Sequence, residues 1–344
     1  MSDIPVELLL AILGWIEDTA VLFNLRLVSK TFNSIAAPMV LRVLLVTDAA
    51  QSVDGLACIQ AGGTDTLNSV QEIVFEAAGD GYGQGDALDT AFSGLAKFRN
   101  LRVLRLRFNS YSLSVQPRLF AVLVAHPPPP LISLTLYIIP IPDNIYATEA
   151  FQNIFRSLTT LCISVSSGNQ PQLSDFWESS VPSILKSATN LTSLTIRSNY
   201  PVGVLPAFPV AHIHLPMLAA LTLDNFVLHP ARADYDIADF IVRHKATLTH
   251  LELADCWVFR GELGVYARPW HSLFQIFQQE LVGLRSLSKT ASWYSSRFCG
   301  YLFFRGPESA QIYDNEAAVQ AKDLDDAALE SLMSTMELRT PPGI

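Results

Sequence analysis

Apolar residues recur along this chain in one short pattern, apolar-x-x-apolar-x-apolar. It reads Val70-x-x-Ile73-x-Phe75, then Leu101-x-x-Leu104-x-Leu106, then Leu131-x-x-Leu134-x-Leu136. It returns at Leu158/Leu161/Ile163, Leu191/Leu194/Ile196, Leu218/Leu221/Leu223 and Leu248/Leu251/Leu253. An eighth copy, Leu284-x-x-Leu287-x-Lys289, loses its last apolar position. The copies start 31, 30, 27, 33, 27, 30 and 36 residues apart, and self-similarity at such a period marks a solenoid. The last positions of each copy alternate as in a strand, while the stretches between copies carry helical spacing. Helices are expected over Asp86–Phe98, Gln116–His126, Thr148–Ser157, Ser174–Ala188, Asp234–Lys245 and His271–Leu281. Strand then helix, repeated, gives parallel strands with helices on one side. The expected class is therefore α/β, a curved parallel sheet with helices on its convex side. An ordinary α/β domain also has apolar strands, but it would not repeat this pattern seven times nearly intact.

Residues 4–44 stand outside the repeat. Pro5 suits a first helical turn, where its missing N–H costs nothing. The helix that follows is apolar nearly all round from Leu8 to Leu13, whereas a surface helix needs a single apolar stripe. Something else is expected to cover its second face. Asp18 or Thr19 can cap a second helix through Leu22 and Leu25. Ser29 or Thr31 can cap a third through Phe32 and Ile35. A plain solenoid cap is the alternative, but a cap needs a polar outer face. At the other end, Cys299–Phe304 is strand-like and suits closure of a sheet edge. Ala317–Leu338 is helix-like, and the tail after Thr340 is expected to be disordered. The expected division is 1–44, 45–298 and 299–344.

Charge and composition narrow the function. Half of the 344 residues are hydrophobic and 16% are charged, which is not the composition of a disordered chain. The net charge of −9 argues against nucleic acid, which needs a basic stripe. Cys58, Cys162, Cys256 and Cys299 are scattered, so neither a zinc site nor a disulfide framework is expected. The apolar start is flanked by Asp3 and Glu7 rather than the positive charge of a secretory signal. No run approaches the roughly 20 apolar residues of a membrane span, so a cytoplasmic or nuclear location without a membrane partner is expected. The glycines from Gly79 to Gly85 lack the Gly-Lys-Ser/Thr of a phosphate loop and read as a turn. His212-x-His214 sits in a proline-rich connector without a carboxylate or Cys beside it and reads as a solvated loop. Asn190-Leu191-Thr192 matches a glycosylation sequon but opens a repeat strand. Pro127–Pro130 ends a helix and leads stiffly into a strand. No G-x-S-x-G elbow or H-E-x-x-H is present, so no enzyme activity, metal or cofactor is expected.

The repeat resembles the leucine-rich repeat, whose pattern continues to Asn or Cys at its ninth position. Asn109, Asn199 and Cys256 match there; Ala78, Ile139, Ser166, Phe226 and Ser292 do not. Residues 4–44 resemble the F-box, a three-helix motif running Leu-Pro-x-Glu-Ile-Leu, then an apolar pair, then Val-Cys-Lys-x-Trp. Here the chain reads Ile4-Pro5-Val6-Glu7-Leu8-Leu9, Ile12-Leu13 and Val28-Ser29-Lys30-Thr31-Phe32. The departures are Ile4 for Leu, Ser29 for Cys and Phe32 for Trp. The resemblance implies a substrate-recognition subunit of a cullin–RING ubiquitin ligase. Its F-box would dock a Skp-type adaptor, and through it a cullin, and its repeats would hold a target protein. The adaptor-binding residues it implies are Pro5, Leu8, Leu9, Ile12, Leu13, Val28 and Phe32. A repeat scaffold outside any ligase is the alternative.

Strand side chains alternate, so residues between the Leu positions face the concave side. Arg105, Arg107, Tyr137, Arg197, Asp224 and Glu252 stand out there as candidate target contacts. Arginine lies in the early and central copies, and acid toward the C-terminal end. Such a gradient suits a partner of complementary charge.

Overall fold

The computed structural model describes residues 4–16, 18–77, 85–109, 113–141, 144–166, 173–204, 206–228, 233–259, 268–290, 299–304, 311–313 and 315–339. They form two compact units, Met1–Thr135 and Leu136–Ile344. The division falls within the strand Ser133–Ile138.

The first unit opens with helices α1 (Val6–Leu13), α2 (Thr19–Leu25) and α3 (Lys30–Val40). Asp18 caps α2 by accepting the Ala20 amide at 2.8 Å. Ser29 caps α3 by accepting from Phe32 at 3.1 Å. Strands β1 (Val43–Thr47), β2 (Glu72–Glu76) and β3 (Val103–Arg107) follow. They pair in parallel and in chain order, with Leu44 opposite Ile73 and Ile73 opposite Leu104. Strand β1 belongs to a copy of the pattern absent from the expected eight, Leu41-x-x-Leu44-x-Val46. The strand therefore begins two residues before the expected domain boundary. Helices α4 (Ala50–Gln60), α5 (Thr64–Ser69), α6 (Gly85–Ser93) and α7 (Val115–Ala125) fill the connections. Phe75 of β2 meets Phe92 of α6 edge-on at 5.3 Å, and Phe108 meets Phe120 of α7 at 5.6 Å. Such ring pairs add to simple area burial.

The second unit continues the alternation. With the dividing strand as β4, its strands are β5 (Thr160–Val165), β6 (Ser193–Val202), β7 (Ala220–Leu228), β8 (His250–Ala254) and β10 (Ser286–Thr290). The β5-β6-β7-β8-β10 run is parallel and keeps the Leu positions in register. Its connecting helices are α8 (Glu149–Asn153), α9 (Leu173–Asp175), α10 (Val181–Ser187), α11 (Ile237–Arg243) and α12 (Trp270–Glu280). Between α9 and α10, Phe176–Ser180 forms one wider π-helical turn.

One departure from the expected eight-strand sheet recurs at a fixed place in three successive copies. The ladder breaks at the eighth position of each: after Arg197 in β6, at Asn225 in β7 and at Asp255 beyond β8. Asn225 and Asp255 have φ of 66° and 45°, left-handed values that Asn and Asp tolerate better than other non-glycine residues. Beyond the break the strands resume as a second ladder, in which β9 (Cys256–Phe259) pairs β7 and β11 (Cys299–Phe304). Strand β12 (Gln311–Tyr313) then adds antiparallel to β11. Cys299–Phe304 is thus a strand as expected, but a further strand pairs with it. Gly203 sits at φ 130°, and a Cβ there would lie 2.4 Å from the Val227 carbonyl oxygen, so glycine is required for this approach. Helix α13 (Asn315–Arg339) closes the unit.

Every apolar position of the eight copies is buried. Each buried Leu is worth about 1.5–3 kcal/mol relative to exposure. Two of the three ninth-position side chains that fit the repeat pattern act between neighbouring copies. Asn109 donates to the Ala77 carbonyl at 2.6 Å, and Cys256 points its thiol at the Leu223 carbonyl, 3.6 Å away. Expectations at Ala78, at 79–84, at Ser292 and after Thr340 fall outside the described residues.

Alternation along β6 gives a direct check. Leu194→Ala should cost about 2–5 kcal/mol, whereas Thr195→Ala, on the open face, should stay within about 0.5 kcal/mol. Urea denaturation of both variants measures this; similar losses would contradict the packing described.

Candidate protein-binding surfaces

The three-helix unit is held by a small core of Leu9, Leu13, Leu22, Ile35 and Ala36, with Ile16, Leu25, Phe32, Met39 and Val40 packed against it. Leu9, Leu13 and Ile16 follow i, i+4, i+7 spacing and share one helical face. The seven residues expected to bind an adaptor therefore divide. Leu9 and Leu13 are internal, and Phe32 is half-buried. Pro5, Leu8, Ile12 and Val28 are exposed, with Leu8 and Ile12 each 55% accessible. Ile4, Val6, Leu10, Trp15, Val21, Phe23 and Leu27 are also exposed, and the sequence reading did not single them out. Half of the large hydrophobic side chains exposed among the described residues thus lie between Ile4 and Val28. Large apolar side chains left bare in such concentration mark a surface that meets another protein more often than one that meets only water. The Leu9/Leu13/Ile16 spacing carries the signal that could have sorted them, since Leu8, Ile12 and Trp15 lie about 100° away around α1.

On the open face of the strands the candidate charges are mostly matched by neighbours. Arg105 pairs with Glu72 at 2.7 Å, and Arg107 pairs with Glu76. Arg197 approaches Asp224 at 3.9 Å, and Thr222 donates to Glu252 at 3.1 Å. These are the cross-strand pairs that parallel register creates. They cancel most of the charge gradient expected from the arginines and acids taken singly. Tyr137 is half-buried on β4. Arg105, Arg107 and Tyr137 lie on β3 and β4, and Arg197, Asp224 and Glu252 on β6, β7 and β8.

Asp224 is the electrostatic exception. Burial first, then the nearby Asp255, pushes its pKa up to about 6; Arg197 opposes this and Glu252 adds to it. Trp257 donates from Nε1 to the neighbouring Asn225 Oδ1 at 3.3 Å. The other candidate chemistry has structural duties. His212 and His214 are exposed, and His214 stacks on His244 at 5.7 Å. The buried His244 accepts the Leu215 amide at 3.0 Å, and burial lowers its pKa. Asn190 of the sequon donates to the Arg156 carbonyl at 2.8 Å. Among the described residues no helix is long and apolar enough to cross a membrane.

Comparison with known proteins identifies one part of the chain. The family model of the F-box domain matches residues 1–43. No curated protein matches the chain. Among solved structures, the crystal structure of the Rad7 and Elc1 complex in yeast aligns with a TM-score of 0.30 and 12% identity, over 86% of this chain and 90% of that one. A likeness that weak carries no argument.

Asp224 has a testable sign. An acid whose folded pKa lies above its unfolded value destabilises the fold once ionised, so its cost appears as pH rises from about 4 through about 6. Asp224→Asn should therefore stabilise the protein at pH 7.5 and make little difference at pH 4. Urea midpoints at the two pH values measure this; lower stability of the variant at pH 7.5 would contradict it.

Proposed function

With an F-box domain at residues 1–43 as the starting point, we propose that this chain is the target-recognition subunit of a cullin–RING ubiquitin ligase. The F-box docks a Skp-type adaptor and through it the cullin. The repeats hold a target protein while other subunits transfer ubiquitin. The chain itself performs no catalysis, and nucleic acid and membrane are not among its partners. Cytoplasm or nucleus is the compartment this role requires. The single observation that supports the reading best is the bare apolar surface on the F-box helices. Pro5, Leu8, Ile12 and Val28 contribute to the docking face, whereas Leu9, Leu13 and Phe32 support it from within.

Adaptor capture tests this. Leu8→Asp/Ile12→Asp alters exposed positions only, so the chain should fold normally and lose adaptor and cullin in affinity capture followed by mass spectrometry. Leu9→Asp is the wrong probe, because a carboxylate in the three-helix core unfolds the unit. Capture of adaptor by the double variant at the normal level would leave a scaffold outside any ligase as the better reading.

The target surface is the open strand face, with Arg105, Arg107, Tyr137, Arg197, Asp224 and Glu252 among its contacts. Exchanging one pair, Glu76→Arg/Arg107→Glu, keeps the cross-strand attraction while inverting the pattern a partner reads. That variant should retain stability and adaptor but release captured targets. Unchanged target capture would move the site off this face.

A further inference from the structure

The C-terminal helix does more than close the last copy. One face of α13 buries Ala328, Leu329, Leu332 and Met336. Asp325, also buried, accepts from the His271 amide and the Tyr301 hydroxyl at 2.8 Å each. Arg339 donates to the carbonyls of Leu281 and Gln278 at 3.1 and 2.9 Å. The helix is therefore firmly seated. Among the described residues nothing covers a second face. Glu330, Met333, Ser334 and Glu337 follow i, i+3, i+4, i+7 spacing and line a groove of about 320 Å³ with Leu287 and Leu329. Its floor is apolar and carboxylates stand along one side. Asp326 and Asp323, both exposed, extend the acidic row one turn and two turns further. Among the described residues neither Glu330 nor Glu337 has an ion-pair or hydrogen-bond partner. The cations nearest in sequence do not neutralise them, since Arg339 is spent on carbonyls and Lys322 lies two turns away.

We propose that this groove docks a segment of a partner protein that carries one large apolar side chain between lysine or arginine residues. The apolar side chain fills the space over Leu287, Leu329 and Met333. The flanking cations meet Glu330 and Glu337, and more distant ones meet Asp326 and Asp323. The groove is large enough for one side chain and too small for a folded surface, which is why a short segment is the occupant. Charge complementarity sets both the choice of partner and its approach, and the attraction weakens as salt rises. This site goes beyond the role proposed for the F-box and the strand face and does not depend on it.

The test uses the full chain and a fluorescein-labelled peptide with a central leucine, a serine on each side and two lysines at each end. Fluorescence anisotropy should report saturable binding. Glu330→Lys/Glu337→Lys should weaken it about tenfold or more, as should Met333→Asp or a peptide with alanine at its centre. All three protein substitutions are at exposed positions, and thermal unfolding of each variant checks that the fold is kept. Binding that ignores the central residue is mere charge attraction and overturns the proposal. So does affinity unchanged in the double variant, or no binding by peptides centred on Leu, Ile, Met or Phe. Capture of the adaptor is unaffected in either case, so failure here is distinct from failure of the F-box reading.

Discussion

One shared carbonyl sets the pitch of this protein. At the second position of a copy, the backbone oxygen accepts two successive amides of the next copy. Arg42 receives Gln71 and Glu72, and Gln71 receives Arg102 and Val103; Thr159, Thr192, Ala219 and Thr249 repeat the arrangement, all at 2.8–3.1 Å. These groups lie where a strand begins and the chain has just turned, so the shared carbonyl supplies partners that no strand ladder yet gives them. Satisfying them fixes where each strand starts relative to the last. The Leu positions then fall opposite one another, and the side chains of the other parity share the open face. A slip of one residue would turn every Leu to solvent, so register, core and open face are one constraint.

That constraint explains why the open face is quieter than its composition suggests. Register sets Glu76 opposite Arg107 and Arg197 opposite Asp224. Charges so placed pair with each other before they meet a partner. Paired exposed charges give little stability, but they leave a patterned surface of low net field. Recognition on such a face depends on arrangement more than on long-range attraction. Asp224 departs from this first because it is partly buried, and then because Asp255, held at a left-handed φ, brings a second carboxylate near it. The bend that starts the second ladder is thus also what crowds the acids.

The two ends of the chain solve their surfaces in opposite ways. The N-terminal helices have a core too small to hide their leucines, so apolar surface remains outside. A short three-helix unit cannot bury all the faces of an all-apolar helix. The C-terminal helix is mostly polar and acidic, and buries Leu329, Leu332 and Met336 on one stripe while leaving a small apolar floor beside carboxylates. Both surfaces come from helices that, among the described residues, no further element covers.

The sequence by itself determined the strand positions, because a buried strand needs an apolar residue at every second place and tolerates few exceptions. It marked the F-box region too, through the ordered resemblance of Ile4 to Phe32 to that motif, and the F-box domain found at residues 1–43 lies within the expected 1–44. The copy at Leu41 escaped notice because it overlaps the end of α3, where helical and strand spacing compete for the same residues. Which of Leu8 and Leu9 is inside was only faintly marked by the Leu9/Leu13 spacing, because the helix is apolar nearly all round; packing with Leu22 and Ile35 makes the choice. The ion pairs of the open face were equally hidden, since their partners lie about thirty residues apart. The break at the eighth position was hidden as well, because Ser198, Asn225 and Asp255 share no pattern. Tertiary structure decided these points for one physical reason. They depend on distances between copies, and a linear pattern records spacing only within one copy.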